Sequence, residues 1–271
     1  MKCINCKKKI NKLKVFNFKK KLTEYKFFDC KNCIYSFSDL NRKVVYENNN
    51  INYSQSNDIF YFLKILYFKL VYSKYVKSAK SILDYGCGSG ELANSLINIK
   101  KRKIYATDIF TKKPKDLNKK IFYFKNEIIF KKKKKFDLIF VRHVLEHEAN
   151  YFKTLKKLYK LLSKDGTIYI EAPNYLSFWK ILMKSRWPGY FYPYHFHVFS
   201  KKILNEKLRK LKFKKISITS VESPVIGTFL MTFGINRKIC KFISILFYPF
   251  QYFISKSFFR AESIKVICSK N

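Results

Sequence analysis

The sequence predicts an α/β protein: an open, nucleotide-binding sheet with flanking helices, preceded by a small cysteine-bearing unit. Three observations carry that expectation. Ser81-Ile-Leu-Asp-Tyr-Gly-Cys-Gly-Ser-Gly90 runs from a short apolar strand through an acid and a glycine turn into a helical pattern. A second short strand, Ile104-Tyr-Ala-Thr-Asp108, ends in an acid eighteen residues past Gly90. Two C-x-x-C pairs, Cys3/Cys6 and Cys30/Cys33, fall within the first 33 residues.

The glycine turn comes first. Gly86, Gly88 and Gly90 are three of only 7 glycines in the chain, so their concentration is not compositional. A Cβ at such a turn would hold a ligand away from the backbone. Glu91 to Ile99 then place Leu92, Leu96 and Ile99 on one helical face. A dinucleotide fingerprint, G-x-G-x-x-G, seats a pyrophosphate on a helix N-terminus. Here Asp84-x-Gly86-x-Gly88-x-Gly90 is one residue shorter and opens with a carboxylate. That anion would repel a pyrophosphate but suits a ligand carrying an ammonium and a sulfonium. A carboxylate at Asp108 suits the two hydroxyls of a ribose. The pattern resembles motif I of class I S-adenosylmethionine (SAM) methyltransferases. The resemblance implies a Rossmann-like, seven-stranded sheet with helices on both faces. It implies a donor site built from Asp84, Gly86, Cys87, Gly88, Gly90, Asp108, Ile109 and Arg142.

The catalytic half continues in order. Phe136-Asp-Leu-Ile-Phe-Val-Arg142 reads as a fourth, fully buried strand, with His143-Val-Leu-Glu-His147 in the loop beyond. A helix follows with apolar positions at Phe152, Leu155, Leu158, Leu161 and Leu162, then a turn at Lys164-Asp-Gly166. Thr167 to Glu171 is a strand closed by Ala172-Pro-Asn174, and Pro193-Tyr-His195-Phe-His-Val-Phe-Ser200 comes later. This order is similar to a large methyltransferase family with recurring FD.I....VLEH, L..GG.L.I..PN and P.H...FS motifs, over roughly residues 25 to 220. Phe213 to Val221 is expected as a sixth strand. Ser263 to Cys268 is expected as a seventh, inserted antiparallel beside it as the class I fold requires.

Between those strands, residues 224–261 form a helical insertion. Its uncharged run, Phe242 to Ile254, is too short to span a bilayer and is interrupted by Pro249. Two readings stand: a helical lid over the substrate pocket, or an interfacial helix meeting anionic lipid through flanking lysines. Upstream, an Asn-rich stretch (Asn48 to Asn57) leads to a helix over Ile59 to Val76. Phe60, Leu63, Tyr67, Leu70 and Tyr75 recur there at helical spacing, as expected of a leading helix that packs on the sheet and closes the donor pocket. The implied organisation is residues 1–40 as a ribbon, 41–80 as linker and leading helix, and 81–271 as the donor-binding domain.

Cys3, Cys6, Cys30 and Cys33 match zinc chemistry: each C-x-x-C offers two thiolates from one tight turn, and four close a tetrahedron. The 23 residues between the knuckles leave room for a hairpin, Lys14 to Phe18 and Glu24 to Phe28. Tyr25, Cys30, Cys33 and Phe37 resemble the Y....C..C...F ribbon that precedes the catalytic domain in the same family. The residue after each knuckle is usually Gly, and here it is Lys7 and Ile34. No signal peptide opens the chain, and a reducing cytoplasm favours metal over disulfides. The zinc is expected to be structural. Cys87, Cys240 and Cys268 stand alone, as packing residues do.

The net charge of +39 comes from 57 basic and 18 acidic residues, but only seven of the 57 are Arg. Arg is the residue suited to bidentate phosphate and base contacts. Asn, Ile, Phe and Tyr are enriched as well, which points to A- and T-rich codons rather than selection for a polyanion. A nucleic-acid partner is therefore not expected, and Lys131 to Lys135 reads as a solvated loop.

The chain has only 4 histidines: His143, His147, His195 and His197. A hydroxyl or carbon acceptor needs a base near neutral pKa, and His143, His147 and His195 are the candidates as catalytic residues. The resemblance implies a small-molecule acceptor, a sugar or glycan precursor of the cell envelope. The lack of a signal peptide and the uncharged run lead to the expectation of a cytoplasmic enzyme that can sit at the inner membrane face through residues 242–254. Two alternatives carry different chemistry: an RNA methyltransferase using the basic surface and ribbon, and a non-catalytic SAM-binding module. Against the first, Arg142-His-Val-Leu-Glu-His147 lacks the Asn/Asp-Pro-Pro-aromatic signature of base amino-group methylation. Against the second stands the intact glycine turn.

Overall fold

The computed structural model describes residues 2–16, 22–44, 59–97, 102–258 and 260–270. Strand β1 (Asn11–Phe16) pairs antiparallel with β2 (Leu22–Cys30), which pairs with β3 (Tyr35–Ser38). A hairpin forms as expected, but its first strand begins at Asn11 rather than Lys14 and one more strand is added; residues 17 and 18 of the expected strand lie outside the described residues. Lys7 and Ile34 sit at φ 61° and 53°. Each follows a knuckle and adopts the left-handed conformation that glycine takes without cost, at about 1–2 kcal/mol for an L-residue.

Helix α1 (Ile59–Tyr72) continues into a 3₁₀ turn, Ser73–Tyr75. Its buried face is Tyr61, Phe68 and Tyr72. This corrects the expected stripe of Phe60, Leu63, Tyr67, Leu70 and Tyr75, since Leu63 is 46% and Leu70 71% exposed. The helix is apolar nearly all round, so periodicity does not fix its phase. Hydroxyls do. Tyr72 donates to Glu171 at 2.9 Å, and Tyr61 accepts from Asn94 at 2.6 Å.

Next come β4 (Ser81–Tyr85), α2 (Glu91–Leu96), β5 (Lys103–Asp108), β6 (Phe122–Lys125), α3 (Asn126–Lys131) and β7 (Phe136–Arg142). Leu92 and Leu96 are buried as expected, and Ile99 lies outside the described residues. Helix α4 (Tyr151–Leu161) is N-capped by Asn150, whose side chain accepts from Lys153 N–H at 3.1 Å. Strand β8 (Leu162–Pro173) follows without a break. The turn expected at Lys164-Asp-Gly166 is a bulge within this strand. Phe136 pairs with Leu162 but Leu138 with Thr167, and Asp165 takes φ 61°.

The remaining elements are α5 (Phe178–Met183), β9 (His197–Val198), α6 (Lys201–Lys210), β10 (Lys214–Val221), α7 (Ile226–Met231), α8 (Arg237–Leu246), α9 (Tyr248–Ser257) and β11 (Ser263–Ser269). The large sheet has the order β10-β11-β8-β7-β4-β5-β6. β11 runs antiparallel to both neighbours, and the pairs from β8 to β6 are parallel. This is the seven-stranded Rossmann-like sheet that the sequence implies. One face packs Leu155, Leu158 and Leu161 of α4, and the other packs Phe68, Tyr72, Leu92 and Leu96 of α1 and α2. Each fully buried leucine contributes about 1.5–3 kcal/mol. β9 pairs antiparallel with β3, so the four-stranded N-terminal sheet takes its last strand from the catalytic half.

The insertion forms three short helices, with Pro249 in the first turn of α9 where the uncharged run breaks. Among the described residues, no helix is long and apolar enough to cross a membrane. At the knuckles, the exposed Lys7 gives a direct check on the backbone. Lys7→Gly is expected to stabilise the chain by up to about 1 kcal/mol in chemical denaturation, because relief of the left-handed cost exceeds the added unfolded-state freedom. A loss of stability would contradict the assigned backbone.

Candidate active site

A cavity of about 550 Å³ opens at the carboxyl ends of β4 and β7, the position where open α/β sheets place ligands. Its floor is the glycine bend, where Gly86, Gly88 and Gly90 take φ 73°, 57° and 83°. A Cβ on Gly86 would also run into the Val144 side chain. The bend is tied to β5, since Gly86 and Cys87 both donate N–H to the Thr107 carbonyl at 2.8 Å. Cys87 lines the cavity as a buried thiol that burial pushes well above its usual pKa. Cys240 and Cys268 are likewise buried packing residues.

Asp84 lies one residue before the end of β4, beneath this bend. It is 3% exposed, lines the cavity, and has one carboxylate oxygen, Oδ2, without a hydrogen-bond partner. Burial pushes its pKa up to about 7 even though Arg142 pulls it down. Asp108 differs from expectation. It is not among the residues lining the cavity; Oδ2 accepts from Gly88 N–H at 2.8 Å and Oδ1 from Ile109 N–H at 2.7 Å. Here its carboxylate shapes the bend, with further acceptor lone pairs remaining. Ile109 is partly exposed and serves through its backbone.

Arg142 lines the cavity and donates Nε–H to Glu171 Oε2 at 2.7 Å, while its guanidinium lies 4.4 Å from the Phe68 ring centre and 4.7 Å from that of Tyr72. Glu171 also accepts from Tyr72 at 2.9 Å and from Tyr169 at 2.5 Å. Burial alone would raise the Glu171 carboxyl, but Arg142, His143 and the Tyr169 hydroxyl hold it below the usual range. Glu171 is not among the site residues expected from the sequence, although it is a third acid near the carboxyl end of a sheet strand, as Asp84 and Asp108 are. From α1, Lys64 closes the rim through a 2.8 Å ion pair with Glu91.

The structure separates the three histidines proposed as bases. His143 lines the cavity, with Nδ1 3.2 Å from Glu146 Oε1. His147 and His195 do not line it; their ring centres are 4.5 Å apart, edge to face, behind Glu146. His195 Nδ1 is 2.8 Å from the Gly189 carbonyl, and burial pushes its pKa down to about 3. Burial lowers His147 as well. Neither is poised as a base near neutral pH. His197 is structural: Nδ1 meets the Tyr35 hydroxyl at 2.5 Å and Nε2 faces the Glu148 and Ala149 carbonyls, which joins β9 to the N-terminal sheet.

Cys3, Cys6, Cys30 and Cys33 converge, with their sulfur atoms all within 4.8 Å of one another. Cys3 and Cys33 are 3.8 Å apart and Cys6 and Cys30 3.5 Å, with Asn5 N–H donating to Cys3 Sγ. Four sulfurs at that spacing fit a tetrahedral soft-metal centre. A second cavity of about 570 Å³ adjoins the first through Tyr67, Val221 and Glu222. Tyr75, Tyr169, Tyr248 and Tyr252 line it, with Lys74 and Lys265.

The family model described as a methyltransferase domain matches residues 60–218. Similar solved structures include a SAM-dependent methyltransferase from Archaeoglobus fulgidus, 19% identical with a TM-score of 0.53, covering 79% of this chain and 100% of that one. The plantazolicin methyltransferase BamL, solved with a triazolic desmethylPZN analogue and SAH, is 17% identical with a TM-score of 0.51, covering 78% and 85%. The [4+2]-cyclase SpnF is 12% identical with a TM-score of 0.52, covering 76% and 80%. At these identities the likeness establishes the fold. No curated protein matches the chain in sequence.

The raised Asp84 pKa has a direct stability consequence. Because the folded value lies above that of an unfolded carboxyl, the folded state binds the extra proton and loses stability as pH rises from about 4 towards 7, at up to about 1.4 kcal/mol per unit. Asp84→Asn is expected to remove this slope, so that in denaturant melts of the ligand-free chain it gains on the wild type by a few kcal/mol across that window. Parallel pH profiles would contradict the assignment.

Proposed function

The chain belongs to the methyltransferase-domain family, and from that membership we propose that it transfers the methyl group of SAM to a small hydroxyl-bearing acceptor, a sugar or glycan precursor. The observation that carries the donor is the orphaned, buried Asp84 Oδ2 beside a bend that only glycine can make. A ligand with an ammonium and a sulfonium would satisfy that oxygen, and the lack of a Cβ at Gly86 and Gly88, both in the cavity lining, gives it room. Asp84 and the N–H groups of the bend would hold the amino-acid end, and Asp108 the ribose, through the lone pairs that Gly88 and Ile109 leave. When bound, the sulfonium supplies an electrophilic methyl carbon, so the protein's contribution is chiefly alignment.

His143 faces the cavity and is oriented by Glu146, in position to take a proton from an acceptor hydroxyl. The adjoining tyrosine-lined cavity offers ring faces for stacking, hydroxyls for hydrogen bonds and two lysines for a phosphate, the features a nucleotide-linked sugar would use. Val221 to Pro224 and Arg237 wall the donor cavity, which supports the lid reading of the insertion. The four cysteines hold a structural zinc in this account, because a complete thiolate set leaves no coordination position for water. By calorimetry the chain is expected to bind SAM, and Asp108→Ala to weaken it about tenfold, the loss of bonds to a charged acceptor. Binding of NAD in place of SAM would overturn the proposal.

Helices α8 and α9 support a peripheral membrane contact beside the lid role. Phe242, Leu246, Phe250 and Phe253 are exposed, with Lys238, Lys241 and Lys256 around them. Apolar side chains among cations suit the surface of an anionic bilayer. The chain is expected to co-sediment with phosphatidylglycerol vesicles and not with phosphatidylcholine ones, and Phe242→Ser with Phe253→Ser to reduce that binding several-fold. Equal recovery with both vesicle types would refute it.

A further inference from the structure

The geometry points to a second metal centre, a divalent-cation site formed by Glu146, His147 and His195 and separate from the four cysteines. One ligand atom from each residue lies within 4.8 Å of the others. Glu146 is fully buried, and its Oε2 accepts no hydrogen bond, while Oε1 faces His143 Nδ1 at 3.2 Å. His195 spends Nδ1–H on the Gly189 carbonyl at 2.8 Å, so its Nε2 carries a lone pair rather than a proton. His147 is anchored in turn by the Tyr194 carbonyl.

An imidazole lone pair and an orphaned carboxylate oxygen that share one buried pocket repel each other unless a cation lies between them. A buried oxygen left bare is destabilising, and the more so when it is charged. A backbone carbonyl holding the Nδ1–H of His195 is what metal-ligating histidines use to fix their tautomer. Two imidazoles and one carboxylate form a borderline donor set suited to Zn²⁺, Fe²⁺ or Mn²⁺ rather than to Ca²⁺. Three protein ligands leave at least one coordination position for water, whose pKa the ion would lower.

The elements explain how the set assembles. Glu146 and His147 lie on the 3₁₀ turn after β7, and His195 arrives on the segment leading into β9, with Phe196 N–H bonded to the Glu146 carbonyl at 2.6 Å. Through His143 the centre adjoins the donor cavity without being part of its wall.

Cobalt(II) titration of the reduced, metal-free chain tests this without reference to methyl transfer. A phase whose absorption lacks the thiolate charge-transfer band is expected, saturating at about one equivalent per chain. It should survive in Cys30→Ser and be lost in both His195→Asn and the near-isosteric Glu146→Gln. The cysteine centre gives its own phase with a thiolate band, so failure of one leaves the other readable. If the intact chain shows no cobalt phase free of thiolate absorption, or if that phase persists in Glu146→Gln and His195→Asn, the proposal is overturned.

Discussion

A carboxylate buried near the end of an interior strand, under a bend built on left-handed glycines, sets the terms for the rest of this structure. Asp84 has a bare oxygen, and burial raises its pKa to about 7 although Arg142 pulls it down. Three left-handed glycines at alternate positions, Gly86, Gly88 and Gly90, form the bend above it. β5 holds them there through the Thr107 carbonyl from one side and the Asp108 carboxylate from the other. The fold keeps an unfavourable charge in place, and a cationic ligand is what would stabilise it.

The surrounding charges follow the same economy. Arg142 is neutralised by Glu171, which two tyrosines also serve, so the strongest cation near Asp84 is already engaged. Lys64 is engaged by Glu91. The N-terminal unit, although linked to the domain by a stretch that includes undescribed residues, shares a sheet with β9 and a core with the catalytic half. His197 sits at that joint, and the segment bearing it also delivers His195 to Glu146. The motif around Pro193 to Ser200 thus joins the two units and completes a buried polar cluster in one stroke.

Much of this was legible in the sequence. Strand-ending acids and the glycine spacing placed β4, β5 and the cavity floor, and the late strand after the insertion placed β11. Edge strand β6 and helix α3 were not read, because four residues between lysine-rich turns carry little periodic signal. The phase of α1 was misread since an aromatic helix has no polar face to orient it, and only the partners of Tyr61 and Tyr72 decide it. At Asp108, spacing points to a ligand but does not reveal that the Gly88 and Ile109 N–H groups share the carboxylate. The histidines were grouped by motif, but whether a ring faces a cavity or a buried carboxylate depends on loops that pattern does not describe.

The claim that Asp84 is a charge held for a cationic partner is tested most directly by following its carboxyl carbon by NMR across pH, with and without S-adenosylmethionine. The account predicts titration near 7 in the free chain, and a carboxylate that stays ionised well below that pH once the sulfonium is bound. A carboxyl that titrates near 4 in the free chain, or one whose titration the ligand leaves unmoved, would contradict it.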